Sequence, residues 1–318
     1  MGDAITLQKL AYRAISKQSR RIFKYETGVL LDKDSEDLHQ MRVGMRRLRS
    51  AIACFAIAID VPSRLTDKSI AKIARSLGKL RDLDVLLDVL THNYRPQLPT
   101  LEQKTLDRVI QSLHKQRRRE FKQVRKTLNS KSYANLRQAL DNWLERPQYL
   151  SLGGVAIDYA LPDLLLPQVS QFLLHPGWLV GVNLKHGKIK FPKILNTEAI
   201  EQLLARGDVF LHNLRKSAKK TRYTLEFFAP FYGNTYHKYL QQIEEIQEIL
   251  GQTQDIHVMR KAIEQNMRSP IAQEMPQFAS LLLQIRYQKW LEWQKVQQQF
   301  LKNRTRQEFR QAILAVQK

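Results

Sequence analysis

The chain has 318 residues, and 52 Lys and Arg against 30 Asp and Glu give it a formal net charge of +22. Hydrophobic residues make up 43%, enough for a sizeable core, which excludes a disordered basic tail, and the length suits about two domains. Only 12 Gly and 11 Pro argue against an all-β chain rich in turns, and the single Cys54 excludes an internal disulfide.

The N-terminus lacks the charged-then-apolar order of a secretory signal. Residues 1–6 fit the short myristoylation spacing, a pattern too common to carry weight. The longest apolar run, 51–61, is broken by Asp60 and falls well short of the ~20 residues that span a bilayer. The expected class is therefore a soluble, cytoplasmic, strongly basic globular protein. Such an excess of positive charge points to a polyanionic partner.

Apolar residues at three- and four-residue spacing predict helices over 4–31, 37–59, 62–91 and 100–129, with a shorter one over 133–145. The breaks fall at Asp32-Lys33-Asp34-Ser35, at Pro62 as a first helical residue, and around Pro96 and Pro99. Long helices with short connections read as an antiparallel bundle. The stretch 147–196 differs, with five prolines and Gly153, Gly154, Gly177, Gly181 and Gly187. Within it, 164–174 reads as a short helix despite Pro167. Alternation over 178–184 and 188–191, around Lys185-His186-Gly187, reads as a β-hairpin. Helical periodicity returns over 197–230, 235–266 and 277–316, where Trp290 and Trp293 read as core. The expected division is a first helical bundle at 1–146, a linker or insertion at 147–196 and a second bundle at 197–318.

An internal repeat organises these segments. Leu38-His39-Gln40-Met41-Arg42 is echoed by Leu211-His212-Asn213-Leu214-Arg215, 173 residues later. The same offset pairs Arg46 with Lys219, Arg47 with Lys220, Arg49 with Arg222, Leu77-Gly78 with Leu250-Gly251 and Asp82 with Asp255. Upstream it fails: residues 4–31 map onto 177–204, so the second copy has lost or rebuilt its first helix.

On a helix, His39, Arg42, Arg46 and Arg49 fall within about 80° of one another, opposite Met41, Met45, Leu48, Ile52 and Phe55. His212, Arg215, Lys219 and Arg222 repeat the stripe, with Arg47 widening the first copy and Lys216 and Lys220 the second. No acid lies between His39 and Arg49, or between His212 and Arg222, to relieve the repulsion from within the helix. A ligand anion explains such a stripe better than a solvated face does. Arg13, Lys17, Arg20 and Lys24 form a further stripe on the first helix. Arg108, Lys115, Arg119, Lys122 and Lys126 form one on the fourth, where solubilising charge explains them equally well. Mixed Arg and Lys suit phosphate oxygens. Single-stranded nucleic acid also needs stacking aromatics, and only Tyr223, beside Arg222, lies near a stripe. Bare phosphate chains fit best, with nucleic acid or polyanions in general as the alternative.

At these residues the sequence resembles the CHAD family, the conserved-histidine α-helical domain. Residues 38–49 look like its first signature, 77–84 its second, and 211–228 with 250–255 the corresponding pair in the second half. The resemblance implies an all-α fold of two four-helix bundles related by a pseudo-twofold, with a basic channel between them. It also implies binding of inorganic polyphosphate through the histidines and basic residues, Lys79 and Arg81 among them, and association with polyphosphate granules. Gln252-Thr253-Gln254 stands where the first copy has Lys79-Leu80-Arg81, so the expected channel is asymmetric.

Chemistry is the competing reading. No His or Cys lies near either histidine at metal-ligand spacing, so neither metal nor cofactor is expected. Asp82, Asp84 and Asp255 are the carboxylates a phosphotransferase or hydrolase acting on polyphosphate would use. A structural role, orienting the stripe's arginines, suits Asp82 and Asp255 better.

Overall fold

The computed structural model describes residues 5–192 and 196–317. Residues 1–4, which open the myristoylation spacing and the first expected helix, and residues 193–195 of the expected linker lie outside them. In chain order the elements are α1 (Leu7–Leu31), α2 (Ser35–Cys54), β1 (Ile59–Asp60), α3 (Asp67–Asp88), α4 (Thr100–Leu128), α5 (Lys131–Glu145), β2 (Gln148–Tyr149), α6 (Ile157–Leu173), β3 (Asn183–Lys185), β4 (Lys188–Lys190), α7 (Thr197–Phe228), α8 (Asn234–Met267), α9 (Ile271–Glu274), α10 (Pro276–Phe300) and α11 (Asn303–Leu314). The described residues are 83% helical, which makes the fold all-α.

Helix ends follow the local chemistry. Asp32 closes α1 in the left-handed region (φ 52°), and Asp34 accepts from the Glu36 amide at 2.8 Å to start α2. Two ends differ from the expected ones. The helix beginning at Pro62 is a separate short turn, and Thr66 caps α3 instead. The helix expected to reach residue 59 stops at Cys54, and Ile59–Asp60 pairs antiparallel with Gln148–Tyr149. The final helix, expected as one piece, breaks at Leu301-Lys302 with neither Gly nor Pro to mark it. Arg306 Nε donates to the Phe300 carbonyl at 2.8 Å and satisfies a group the broken helix leaves open. The hairpin β3–β4 turns on His186 (φ 50°) and Gly187 (φ 72°), the two left-handed positions of a two-residue turn.

The chain divides into two compact units: Met1–Gln97 with Leu106–Ala160, and Leu98–Thr105 with Leu161–Lys318. In the first, Ile15 and Ile22 of α1 are buried, as are Met41, Met45 and Leu48 of α2. In the second, Trp178 stacks between Trp293 (5.3 Å) and Phe300 (5.2 Å), and Trp290 is equally buried. Gln297 Nε2 donates to the carbonyls of Trp178 and Val180, both at 2.8 Å, and ties the Pro176–Leu179 turn to this core.

The offset of 173 residues holds beyond the motifs that reveal it. It carries α2 into α7, α3 into α8, α4 onto α10 and α5 onto α11. It carries α1 onto the hairpin and the start of α7. The helix that joins the second unit's core is instead α6, which precedes the hairpin. Its Gln168 donates to Thr221 of α7 at 3.0 Å, and Phe172 meets Trp178 and Phe300. α6 runs through both Pro162 and Pro167, because burial of Leu161, Leu165, Val169 and Phe172 outweighs the lost backbone bonds. The stretch expected as an insertion is therefore shared between the units.

Glu102 is the most distant strut of the second unit. Buried at 5% exposure, its carboxylate accepts from the amides of Gln277 and Phe278, both at 2.9 Å, at the start of α10. An anion there satisfies two orphan donors and meets the positive end of the helix dipole. Glu102→Ala is expected to lower the free energy of unfolding by about 2–3 kcal/mol, and Glu102→Gln by less, since one acceptor survives. Denaturant unfolding of the two variants checks this.

Candidate functional site

The stripe of α2 rests on α3. Arg42 donates from Nη2 to Asp82 Oδ1 at 3.2 Å, and its Nε lies 3.5 Å from where a Cβ on Gly78 would stand. Gly78 and Asp82 are one turn apart, so the guanidinium lies over a bare stretch of α3 and ends on a carboxylate. α7 and α8 repeat the arrangement. Arg215 reaches Asp255 at 3.8 Å, and its Nε and Nη2 both lie 3.2 Å from a Cβ built on Gly251. A Cβ at Gly251 would crowd Arg215, whereas one at Gly78 would meet Arg42 at ordinary contact distance.

Acidic partners are present, and most of them come from facing helices. Arg49 makes a two-pronged bond to Asp67 at the start of α3, at 2.7 and 3.0 Å. Arg222 pairs with Glu244 of α8 and lies 3.5 Å from Glu226 on its own helix. The stripe is therefore partly relieved within the protein, by Asp67 and Glu244 in addition to Asp82 and Asp255. A helix read alone cannot show carboxylates 18 to 40 residues away. The relief is partial: Asp82 and Asp255 are 68% and 70% exposed, so water and salt screen their pairing.

The histidines head the two stripes in different settings. His39 is the fifth residue of α2, next to the helix's positive end, whereas His212 lies in the middle of α7. Burial holds the His39 imidazole below its usual pKa, and Arg81, Arg46 and Arg42 depress it further while Glu36 opposes them. Burial also depresses His212, followed by Lys216, Arg215 and Lys219, with Asp208 opposing. The leading cation thus comes from α3 in one copy and from the same helix in the other. That follows from Gln254 standing where the first copy has Arg81. Nδ1 of His212 is buried with no hydrogen-bond partner among the described residues, which further disfavours the doubly protonated ring.

The remaining expected residues divide by exposure. Arg46, Arg47 and Lys219 are half-buried on the stripes, and Lys216 and Lys220 are exposed beside them. Arg13, Lys17, Arg20 and Lys24 form an exposed row on α1, and Lys79 is exposed on α3. Arg81 donates to the Ser35 carbonyl at 3.3 Å, bridging α3 to the start of α2. Tyr223 is corrected. At 2% exposure it cannot offer a ring to a ligand, and it lies 5.1 Å beneath the Arg222 guanidinium as support. Asp84 is buried away from solvent. It accepts from Arg117 of α4 at 2.6 Å, and Arg117 also grips Asp32 with two bonds of 2.7 Å. Burial raises the Asp84 carboxyl despite that arginine. Sequence reasoning missed Asp67, Glu244 and the service of Gly78 and Gly251 to the arginines, although the glycines stood in the repeated motif. Among the described residues, no three His, Cys, Asp or Glu side chains gather as a metal-binding group, and no helix is long and apolar enough to cross a membrane.

These neighbours predict separable titrations. Removing a cation favours the protonated ring, so Arg81→Gln is expected to raise the His39 pKa towards the ordinary value of about 6.5 and leave His212 unmoved. Lys216→Gln is expected to do the reverse. Histidine ring chemical shifts followed against pH by NMR check both.

Comparison with known proteins places this geometry. The CHAD domain profile matches residues 13–264. The CHAD domain from the plant Ricinus communis aligns over 99% of this chain and 94% of its own, with 22% identity and a TM-score of 0.60. PptA from Streptomyces chartreusis aligns over 97% of this chain and 99% of its own, with 15% identity and a TM-score of 0.59. Both share the fold. No curated protein sequence matches.

Proposed function

Because the chain belongs to the CHAD domain family, we propose that it is a binding module for inorganic polyphosphate, held along the His-headed stripes of α2 and α7. The basic channel that the family resemblance implies is part of this proposal, as is a cytoplasmic site of action. The observation that carries it is the repeated clasp: Arg42 over Gly78 to Asp82, and Arg215 over Gly251 to Asp255. Each clasp fixes a planar, forked donor at the surface, and such a donor matches the oxygens of a phosphate group.

Two features favour a bare phosphate chain over nucleic acid or polyanions in general. With Tyr223 buried, neither stripe offers an exposed aromatic to stack a base. The cations follow one another along a helix face, which suits a ligand with charge at every unit. The carboxylates bear on the competing chemistry. Asp82 and Asp255 each hold an arginine, and Asp84 is buried against Arg117. A hydrolase or phosphotransferase would need one of them for its own chemistry.

Competition among polyphosphate, single-stranded DNA, RNA and heparin at fixed salt tests the reading. Polyphosphate is expected to displace the others; equal affinity for all would overturn it in favour of a general polyanion binder. Release of phosphate from pure polyphosphate, abolished by Asp82→Asn, would make the protein an enzyme. The pH dependence follows from the histidines. Both are depressed in the free protein, and a bound polyanion raises them, so binding takes up protons. Affinity is expected to increase as pH falls from about 8 towards 6, by about tenfold for each pKa unit gained. It levels off below the depressed free-state values. His39→Ala and His212→Ala should each flatten that slope, measured by titration calorimetry at two pH values.

A further inference from the structure

The outer face of α3 carries Lys68, Lys72, Arg75 and Lys79 at spacings of four, three and four, all exposed. At 100° per residue they lie within about 60° of one another along about 17 Å of helix. Asp82, the carboxylate that holds Arg42, follows three residues after Lys79 on the same line. The row therefore leads along α3 to the first unit's clasp. None of its four cations makes an ion pair among the described residues.

The second copy shows that the fold does not require this charge. The same offset carries the row onto Gln241, Glu245, Glu248 and Gln252 of α8, all exposed, followed by Asp255 at the clasp of Arg215. Four buried positions beneath are occupied alike in the two helices, although buried Ala71 and Leu80 stand where α8 has Glu244 and Thr253. Ile70, Ile73, Leu77 and Gly78 of α3 correspond to Ile243, Ile246, Leu250 and Gly251 of α8. Over these four shared inner positions, the outer row changes from four cations to two carboxylates and two amides. The shared packing therefore does not call for the cations on α3. Neither an aromatic nor a large apolar side chain interrupts the row, so it offers charge alone, without a platform for bases or a wedge for lipid.

We propose that the α3 row is a further binding segment for a long linear polyphosphate, passing the chain to the Arg42 clasp, and that the acidic row on α8 bars the chain from the corresponding path. The proposal rests on the polyphosphate reading and gives it a direction. A bound chain extends beyond the stripes over the first unit and not over the second. Short chains fill the stripes without touching the row, so only long chains gain from it.

The test transplants α8 residues onto the part of the α3 row that lies outside the residues already assigned to binding, in the full chain: Lys68→Gln, Lys72→Glu and Arg75→Glu together, with Lys79 kept. A control variant makes the same charge change on α4: Lys115→Gln, Arg119→Glu and Lys122→Glu. Thermal melts establish that both fold. Affinities for long-chain polyphosphate and for tripolyphosphate are then measured across a salt series. The α3 transplant is expected to weaken long-chain binding at least tenfold and to flatten its salt slope by about two, from roughly 0.7 per lost phosphate contact. Tripolyphosphate affinity should follow the control. Equal long-chain losses in the two variants would overturn the proposal, since bulk charge would then explain them. So would equal losses of long and short chains in the α3 transplant. If the unaltered protein fails to bind polyphosphate, the functional reading itself falls, and that result is distinct from an unaltered protein that binds and a transplant that does not differ from its control.

Discussion

Everything about the site depends on one electrostatic constraint. A helix face that stacks His, Arg, Arg or Lys, and Arg at successive turns must be relieved from outside the helix. Both copies meet the constraint in the same way. The facing helix contributes a glycine, close to which the arginine passes, and an aspartate one turn later, with which it pairs. Because the aspartates are mostly exposed, each pair contributes at most about 1 kcal/mol of stability. Its role is orientation. It fixes the fork of the guanidinium at the surface while leaving its charge weakly neutralised, and so still able to attract an anion.

Around this shared clasp the two copies diverge, and the divergence has physical consequences. Arg81 bears on His39 from α3, whereas Gln254 in the corresponding place leaves His212 to its own helix neighbours. Arg49 is tied to the first residue of α3, while its counterpart Arg222 is tied to Glu244, deeper along α8, and to Glu226. His39 sits near a helix start and His212 in mid-helix. A duplicated site with these differences is not two equal halves. The cation row on α3 and the acidic row on α8 extend the same inequality outward from the clasp.

Much of the fold was legible because the repeat appears in motifs that must keep both shape and charge. α2 with α7, and α3 with α8, share side chains on both the clasp and the core. The correspondence of α4 with α10 was hidden, since equally buried positions carry unlike residues: Glu102 against Met275, Leu113 against Arg286, Val124 against Gln297. Burial is kept there while chemistry changes, and a comparison of letters sees only the change. α6 was read short because proline is penalised locally, whereas the helix is paid for by apolar contacts made elsewhere in the chain. Two of the carboxylates that relieve the stripes, Asp67 and Glu244, were invisible for the opposite reason. Each lies on another helix, outside the repeated motifs, and helical spacing speaks only for neighbours on the same one.

Histidine at the head of each stripe, in place of another lysine, would suit the proposed binding site in both its empty and its filled state. A lysine there would add permanent charge to a face already crowded with cations. Burial and neighbouring Arg and Lys instead hold both imidazoles below their usual pKa, so near neutral pH the empty stripe carries less repulsion than its length suggests. On the proposed function, an arriving phosphate chain would reverse the balance by favouring the protonated ring, and positive charge would then appear where and when the anion is present. The cost of concentrating cations is thereby deferred to the bound state, in which the ligand offsets it. The arginines cannot do this, because their charge is fixed, and so they need the aspartates.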